Sequence, residues 1–171
     1  GKPAEGIKLL FSAKNLDSGL ASRVDALDTA WQLSQKEPQA GYQAVVLGRA
    51  LANLGYWPLA ERLFARGTVL APDYAEAWAF LGEARQQLGG EGYAELEKAR
   101  AFNPQSVVTR ALIALYYRRQ GRFEESLALL KAVAMQEPKQ PIWQIELGNT
   151  MVEMKDISAA LDYYQAAAKI N

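Results

Sequence analysis

The 171-residue chain contains neither cysteine nor histidine. Without cysteine it can form no disulfide framework, no thiolate metal site and no cysteine nucleophile. Without histidine it can form no Ser-His-Asp triad, no histidine-ligated zinc and no imidazole acid–base catalyst. We therefore expect no cofactor, no metal site and no catalytic residues, and we interpret the chain as a protein that is not an enzyme.

A net charge and a long apolar run are missing as well. The 19 Lys and Arg residues balance 19 Asp and Glu residues, so the chain has no strong electrostatic attraction to nucleic acid or anionic lipid. The longest clearly apolar run, 111–117, is far shorter than the roughly 20 residues of a membrane-spanning helix. We expect no nucleic-acid partner and no direct membrane insertion, and the compartment stays open, with the cytoplasm slightly favoured.

The sequence carries internal repeats. Pro38, Pro72, Pro104 and Pro138 recur at nearly equal intervals, and each follows an apolar pattern of helical spacing, as expected where proline ends a helix. Three glycines each lie at the same distance after one of these prolines, namely Gly48, Gly82 and Gly148. Such a period predicts helical units that bury their apolar faces by stacking on their neighbours.

The repeated pattern resembles the tetratricopeptide repeat, W-x2-L-G-x2-Y followed by A-x3-F and then P. The best second half is Ala60-x3-Phe64, followed by Pro72. The best first half reads, in order, Trp78, Leu81, Gly82 and then Arg85 in place of the tyrosine. The predicted repeats span 7–40, which is degenerate, then 41–74, 75–106, 107–140 and 141–171.

The resemblance implies an all-α fold, a right-handed α-solenoid of stacked helix-turn-helix units. It would have about ten helices in a single superhelical domain over 1–171. The array stops where the next proline would fall, so we expect this sequence to be a fragment of a longer protein.

One predicted repeat, 75–106, is two residues short, and the shortfall falls at 89–92, Gly-Gly-Glu-Gly. A phosphate-binding loop there would need a preceding strand and a following Lys-Ser/Thr pair, which the sequence lacks. We predict a flexible turn followed by a shortened helix over 93–102. Elsewhere Asp73 with Glu76 predicts a capping box, and Ser106 and Asp156 are predicted N-caps.

The remaining polar and aromatic clusters have ordinary structural explanations. Their spacing places Glu91, Glu95 and Glu97 on solvated helix faces rather than in a catalytic pair, and the same holds for the adjacent Glu124 and Glu125. The pairs Tyr116-Tyr117 and Tyr163-Tyr164 could stack on a ligand, but one tyrosine of each pair falls on a core position of the repeat. Arg118-Arg119 is too small a basic group to indicate nucleic-acid binding.

The resemblance also implies a concave groove lined by the first helix of each repeat, with repeat positions 2, 5, 9, 12 and 13 pointing into it. We predict these groove residues as the partner-binding site. They are Tyr42, Val45, Arg49, Asn53, Glu76, Glu83, Gln86, Gln87, Val108, Leu115, Arg118, Arg119, Ile142, Ile145 and Asn149. The same positions also include Ala52, Ala79, Ala111, Val152 and Glu153.

This lining excludes one known mode of binding. Chaperone-binding members of the family hold a C-terminal carboxylate with a clamp of Lys, Asn and Arg, but Val45, Arg49, Glu76 and Val108 occupy clamp positions here. The mixed polar and aliphatic lining favours a non-catalytic interaction scaffold that binds a peptide or a partner helix. The alternatives are a homo-oligomerisation module that uses an uncapped terminal helix, and an accessory domain of a larger enzyme or secretion machine.

Overall fold

The computed structural model describes residues 18–37 and 39–170, and in these residues it contains α-helices and no strand. The predicted all-α class is therefore confirmed. The first half of the degenerate repeat and Pro38 lie outside the described residues. The described part contains nine helices: α1 Ser18–Ser34, α2 Ala40–Asn53, α3 Trp57–Leu70, α4 Ala75–Gln87, α5 Tyr93–Phe102, α6 Val107–Arg119, α7 Phe123–Gln136, α8 Pro141–Glu153 and α9 Ile157–Ile170.

The chain divides into two compact units, Gly1–Gly92 and Tyr93–Asn171. In the first unit α1 packs on α2, α2 on α3 and α3 on α4, and α2 also contacts α4. In the second unit each of the helices α5 to α8 packs on the next one in sequence. The repeat boundaries and the single domain inferred from the spacing stay predictions.

The paired helices are held together by a small residue facing a large one. A Cβ atom on Gly48 would lie 2.5 Å from Cε1 of Phe64, and a Cβ atom on Gly148 would lie 2.5 Å from Cε1 of Tyr164. Ala114 occupies the position of these glycines in the repeat 107–140, and its partner position holds the smaller Leu130, with which it shares a core cluster. An aromatic ring in the second helix thus requires glycine in the first, whereas leucine leaves room for alanine.

The helix ends agree in part with the predicted caps. The Ser106 side chain accepts a hydrogen bond from the Thr109 backbone N–H at 3.2 Å, and Asp156 accepts one from the Ala159 N–H at 3.0 Å. The capping box predicted at Asp73 is wrong, because α4 begins one residue later than the box requires. The N-cap is Tyr74, and no side chain caps this helix.

The shortened repeat contains the predicted ten-residue helix, α5. The turn at 89–92, which precedes α5, is closely packed against the backbone at its last residue, Gly92. Gly92 has a φ of 68°, and a Cβ atom there would lie 2.1 Å from the Gly82 carbonyl oxygen. Only glycine meets both conditions, the positive φ and the close backbone approach.

Candidate functional site

In the first unit, two tyrosines stack at the start of α2 and α4. The Tyr42 and Tyr74 rings are 4.1 Å apart between centroids, and the Tyr74 hydroxyl donates to the Glu76 carboxylate at 3.0 Å. Burial, reinforced by the adjacent Glu76 carboxylate, raises the pKa of the Tyr74 phenol well above its ordinary value. The predicted groove residues Tyr42 and Glu76 therefore belong to one ordered aromatic and acidic group.

Arg49 and Asn53 lie further along α2, and both are exposed. The Arg49 guanidinium lies 5.2 Å from the centre of the Phe80 ring, within the range of a cation–π interaction. Among the described residues an open groove of about 440 Å³ runs between α1 and α2. It is lined by Ala30, Leu33, Lys36, Glu37, Val46, Arg49, Ala50 and Asn53.

The amide and acidic residues of α4 mostly bond within their own helix. Glu83 is buried, with only 7% of its surface exposed, and accepts a hydrogen bond from the Gln87 amide at 2.8 Å. The Gln86 amide reaches the Gly82 carbonyl oxygen at 3.4 Å. These contacts fix the side chains in place, so this part of the predicted lining is more ordered than its polar composition suggests.

In the second unit, Arg118 on α6 forms ion pairs with α8. These two helices are the first helices of successive repeats. The Arg118 guanidinium lies 2.8 Å from Glu146 Oε2 and 3.1 Å from Glu153 Oε1, and only 16% of its side chain is exposed. Asn149 extends the group, because its side-chain amide donates to Glu146 Oε2 at 3.5 Å and its side-chain oxygen accepts a hydrogen bond from the Tyr164 hydroxyl at 2.8 Å. The charge of Arg118 is therefore balanced by two carboxylates of α8.

The other predicted groove residues of the second unit are mainly apolar. Val108 and Leu115 on α6 are half-buried, whereas Ile142 and Ile145 on α8 are 43% and 37% exposed. Val152, at the end of α8, is 43% exposed. We call these five residues the apolar strip; its chemistry contrasts with the tyrosines, Arg49 and amides of the first unit. Arg119, at the end of α6, is exposed.

The sequence placed Glu153 among the groove positions, but sequence reasoning did not find Glu146, the nearer acidic partner of Arg118. Glu146 lies on the first helix of the following repeat, at repeat position 6, which is outside the predicted groove positions. Sequence reasoning also missed Tyr93, which stacks on Tyr116 with ring centroids 4.8 Å apart. The repeat register could have identified Glu146, because position 12 in the first helix of one repeat contacts position 6 in the first helix of the following repeat.

The acidic clusters lie only partly on solvated faces. Glu91 is exposed, but the prediction is wrong for Glu95, which is only 8% exposed because it lies on the packed side of α5. Glu97 pairs with Arg100, and the hydrogen bond from Arg122 lowers the pKa of Glu125, the opposite of what a general acid requires. Tyr117 is buried, and the Tyr164 ring fills the space against Gly148. Both fall on core positions, as the register predicts.

Within residues 18–37 and 39–170, no three His, Cys, Asp or Glu side chains gather where they could hold a metal ion. The described helices also include none with the length and apolar character needed to span a membrane.

Comparisons with known proteins identify the fold. No family model and no curated protein matches the chain. Among solved structures, a thermophilic TPR protein of Thermus thermophilus superposes with a TM-score of 0.74 at 21% identity, covering 98% of this chain and 91% of that one. The chain has the tetratricopeptide-repeat fold.

Two further tetratricopeptide-like neighbours support this assignment. MamA from Desulfovibrio magneticus RS-1 superposes with a TM-score of 0.59 at 20% identity, covering 96% of this chain and 94% of that one. The APC/C Cut9–Hcn1 structure gives a TM-score of 0.67 at 14% identity over 86% of this chain, but the match spans only 29% of that chain. At such identities the comparisons establish the fold alone.

Packing against neighbouring helices, and not the repeat position alone, decides which predicted groove residues are buried. At position 5, Val45, Ala79 and Ala111 are only 1%, 0% and 6% exposed, whereas Ile145 at the same position is 37% exposed. Val45 packs in the core of the first unit with Phe64. Val45 was predicted to point into the groove, and it lies in the core instead because the neighbouring helices close over position 5.

Proposed function

We propose that this chain is a non-catalytic protein-interaction scaffold and that its first helices bind a peptide or a partner helix. The observation that supports this most directly is the apolar strip of the second unit. Ile142, Ile145 and Val152 expose 37–43% of their surface although they lie on a helix with a buried core side. Exposed apolar side chains of this size are typical of interaction sites when they share one helix face.

The proposed site is preformed. Arg118 is fixed between Glu146 and Glu153, and the helices beneath it are packed through the Gly148–Tyr164 contact. A preformed surface lowers the ordering cost that the receptor would otherwise pay on binding. Because Arg118 already has two acidic partners, the strip favours the apolar face of a partner helix rather than an acidic peptide.

The first unit supports a second, more polar contact region. Arg49 lies exposed at the groove between α1 and α2, beside the exposed side chain of Asn53. The stacked Tyr42 contributes an aromatic surface at the other end of α2. An extended segment with both polar and apolar side chains matches these groups best.

A display selection of helical peptides against the whole chain tests the proposal. We expect selected peptides to carry one apolar face and to bind the Ile142→Asp variant about tenfold more weakly or worse, because the substitution removes a buried apolar contact. Met135→Asp is the matched control: Met135 is 83% exposed on α7 of the same unit and lies outside the strip.

Two results would contradict the proposal. One is a selection that yields no peptide with an apolar face. The other is a set of peptides whose affinities for the Ile142→Asp and Met135→Asp variants are equal.

A further inference from the structure

The outward side of α3, in the first unit, carries an exposed stripe of apolar and basic side chains. Its apolar members are Leu59, Val69 and Leu70, which are 49%, 76% and 46% exposed. Its basic members are Arg62 and Arg66, which are both exposed. The spacing of these residues places all five on one helix face, over a length of roughly 16 Å. We call these five residues the α3 face.

The repeat fold does not require this combination of side chains. The opposite side of α3 holds the packing residues, since Ala60, Phe64 and Gly67 are buried there. At the repeat positions of Arg62 and Arg66, none of the other second helices among the described residues carries two cations. In their place α1 has Asp28 and Gln32, and α7 has Ala128 and Ala132. The two arginines therefore belong to the surface of α3 and not to the requirements of the repeat.

The charge of the two arginines is not balanced within the first unit. The acidic residue of α3 is Glu61, and its carboxylate lies 3.6 Å from Nε of Arg85 on α4. Within residues 18–37 and 39–170, neither Arg62 nor Arg66 forms an ion pair. Two like charges one helical turn apart repel each other, so a pair of carboxylates opposite them would replace a repulsion with two attractions.

We propose that the α3 face binds an acidic amphipathic helix of a separate protein. Two carboxylates one turn apart on that helix pair with Arg62 and Arg66, because each guanidinium can donate two parallel hydrogen bonds to one carboxylate. Apolar side chains on either side of the acidic pair cover Leu59 and Val69. The inference goes beyond the proposed function, because no residue of the α3 face belongs to the predicted groove or to the apolar strip.

Other occupants match the α3 face less well. The segment 1–17 of this chain contains three lysines and only two acidic residues, so it would bring positive charge to a basic surface. An anionic lipid surface is typically recognised by clusters of about four or more basic residues, whereas the α3 face has two and the whole chain has no net charge. Charge complementarity therefore favours an acidic protein partner.

The test uses the complete chain and a labelled synthetic helix composed mainly of Ala and Gln. The peptide carries two Glu residues one helical turn apart, with a Leu on the same face before the first and after the second. Fluorescence anisotropy at low salt should show saturable binding of one peptide per chain, and the affinity should fall as the salt concentration rises. A peptide with Gln in place of both Glu residues should bind about tenfold more weakly or worse.

Variants of the chain locate the binding site. Arg62→Gln and Arg66→Gln should each weaken binding of the acidic peptide about threefold to fivefold, and the double variant about tenfold or more. Val69→Ser, which removes an apolar contact without adding a charge, should weaken it about threefold or more. The matched control is Arg23→Gln, since Arg23 is an exposed arginine on α1 of the same unit. This control and Ile142→Asp should leave the affinity unchanged, so the two proposals can fail separately.

Four results would overturn the inference. Equal binding of the Glu and Gln peptides would remove the role of charge. Unchanged binding to the double variant of Arg62 and Arg66, with an intact fold by circular dichroism, would place the peptide elsewhere. Flotation of the chain with vesicles of equal parts phosphatidylserine and phosphatidylcholine, lost in the double variant, would make the occupant a lipid surface. Sedimentation showing a dimer that the double variant converts to a monomer would make it a second copy.

Discussion

The guanidinium of Arg118 on α6 lies 2.8 Å from the carboxylate of Glu146 on α8. Arg118 was predicted as a cation facing a groove, and in the folded second unit it connects two first helices. Glu153 completes the arrangement at 3.1 Å. The neutralised cation leaves the neighbouring aliphatic residues as the main feature of this surface, which is why the proposed partner is apolar rather than acidic.

Glu146→Gln is expected to lower the free energy of unfolding by about 1–2 kcal/mol, because a half-buried Arg118 then keeps only one charged partner. Urea unfolding measures the change. Glu125→Gln is the matched control: its pair with Arg122 is about half exposed, so solvent screens the attraction and the loss should be clearly smaller than for Glu146→Gln. Equal losses in the two variants would contradict a special role for the Arg118 pair.

Ser126→Ala is expected to stabilise the protein by about 1 kcal/mol. Ser126 is 0% exposed, and within the described part of the chain its hydroxyl has no hydrogen-bond partner, so its burial carries an uncompensated cost. Ala60 and Ala160 occupy the same repeat position. Thermal or urea unfolding provides the measurement.

The control for Ser126 is Ser34→Ala. Ser34 is also 0% exposed, but its hydroxyl donates to the Trp31 carbonyl at 2.8 Å. The same substitution should therefore cost up to about 1 kcal/mol there. If both serine variants were destabilised alike, the missing partner of Ser126 would not explain its effect.

Gly148→Ala is expected to destabilise the second unit by about 1–3 kcal/mol, because the new methyl group would meet the Tyr164 ring at 2.5 Å. The double variant Gly148→Ala with Tyr164→Leu copies the natural Ala114–Leu130 pair. It should recover a large part of the stability lost in the single glycine variant. A double-mutant cycle by urea unfolding measures the coupling, and additive effects would exclude the proposed steric origin.

Tyr74 is expected to make stability sensitive to alkaline pH. Burial raises the pKa of its phenol in the folded state, whereas the unfolded chain ionises at the ordinary value of about 10. A raised pKa contributes stability below pH 10, and this contribution is lost as the pH rises towards the folded-state pKa. Tyr74→Phe should be less stable than the wild type at pH 7, through loss of the hydrogen bond to Glu76.

The difference between wild type and Tyr74→Phe should shrink as the pH rises above 10. Chemical denaturation at pH 7 and at several values between 9 and 11 measures it. A constant difference across this range would mean that Tyr74 ionises equally easily in the folded and unfolded states.

The helices and their pairing could be predicted from sequence because they depend on local rules. The proline spacing, the shortened helix Tyr93–Phe102 and the caps at Ser106 and Asp156 all follow from neighbouring residues. The glycine opposite an aromatic ring also follows, since the two lie at fixed positions within one repeat. The Asp73 capping box failed because the helix start shifted by a single residue, which local patterns do not specify.

The sequence predicted which repeat positions would line the groove, but it did not predict which side chains at those positions are exposed. Val45 and Ile145 occupy the same place in the repeat, yet one is buried and the other exposed, since exposure depends on what packs against each helix. Arg118 and Val152 likewise share a position and differ in chemistry and surroundings.

The helical repeats, their period and the small–large pairs can be read from the amino-acid sequence, because backbone hydrogen bonds and side-chain periodicity within a helix are local. Which side chains stay accessible and which charges are neutralised depends on how the helices pack in three dimensions. Arg118 and Glu146 belong to successive repeats and are far apart in sequence, and the register between their two helices brings them together. The repeat pattern therefore defines the scaffold, and the packing of successive helices defines the surface that it offers to a partner.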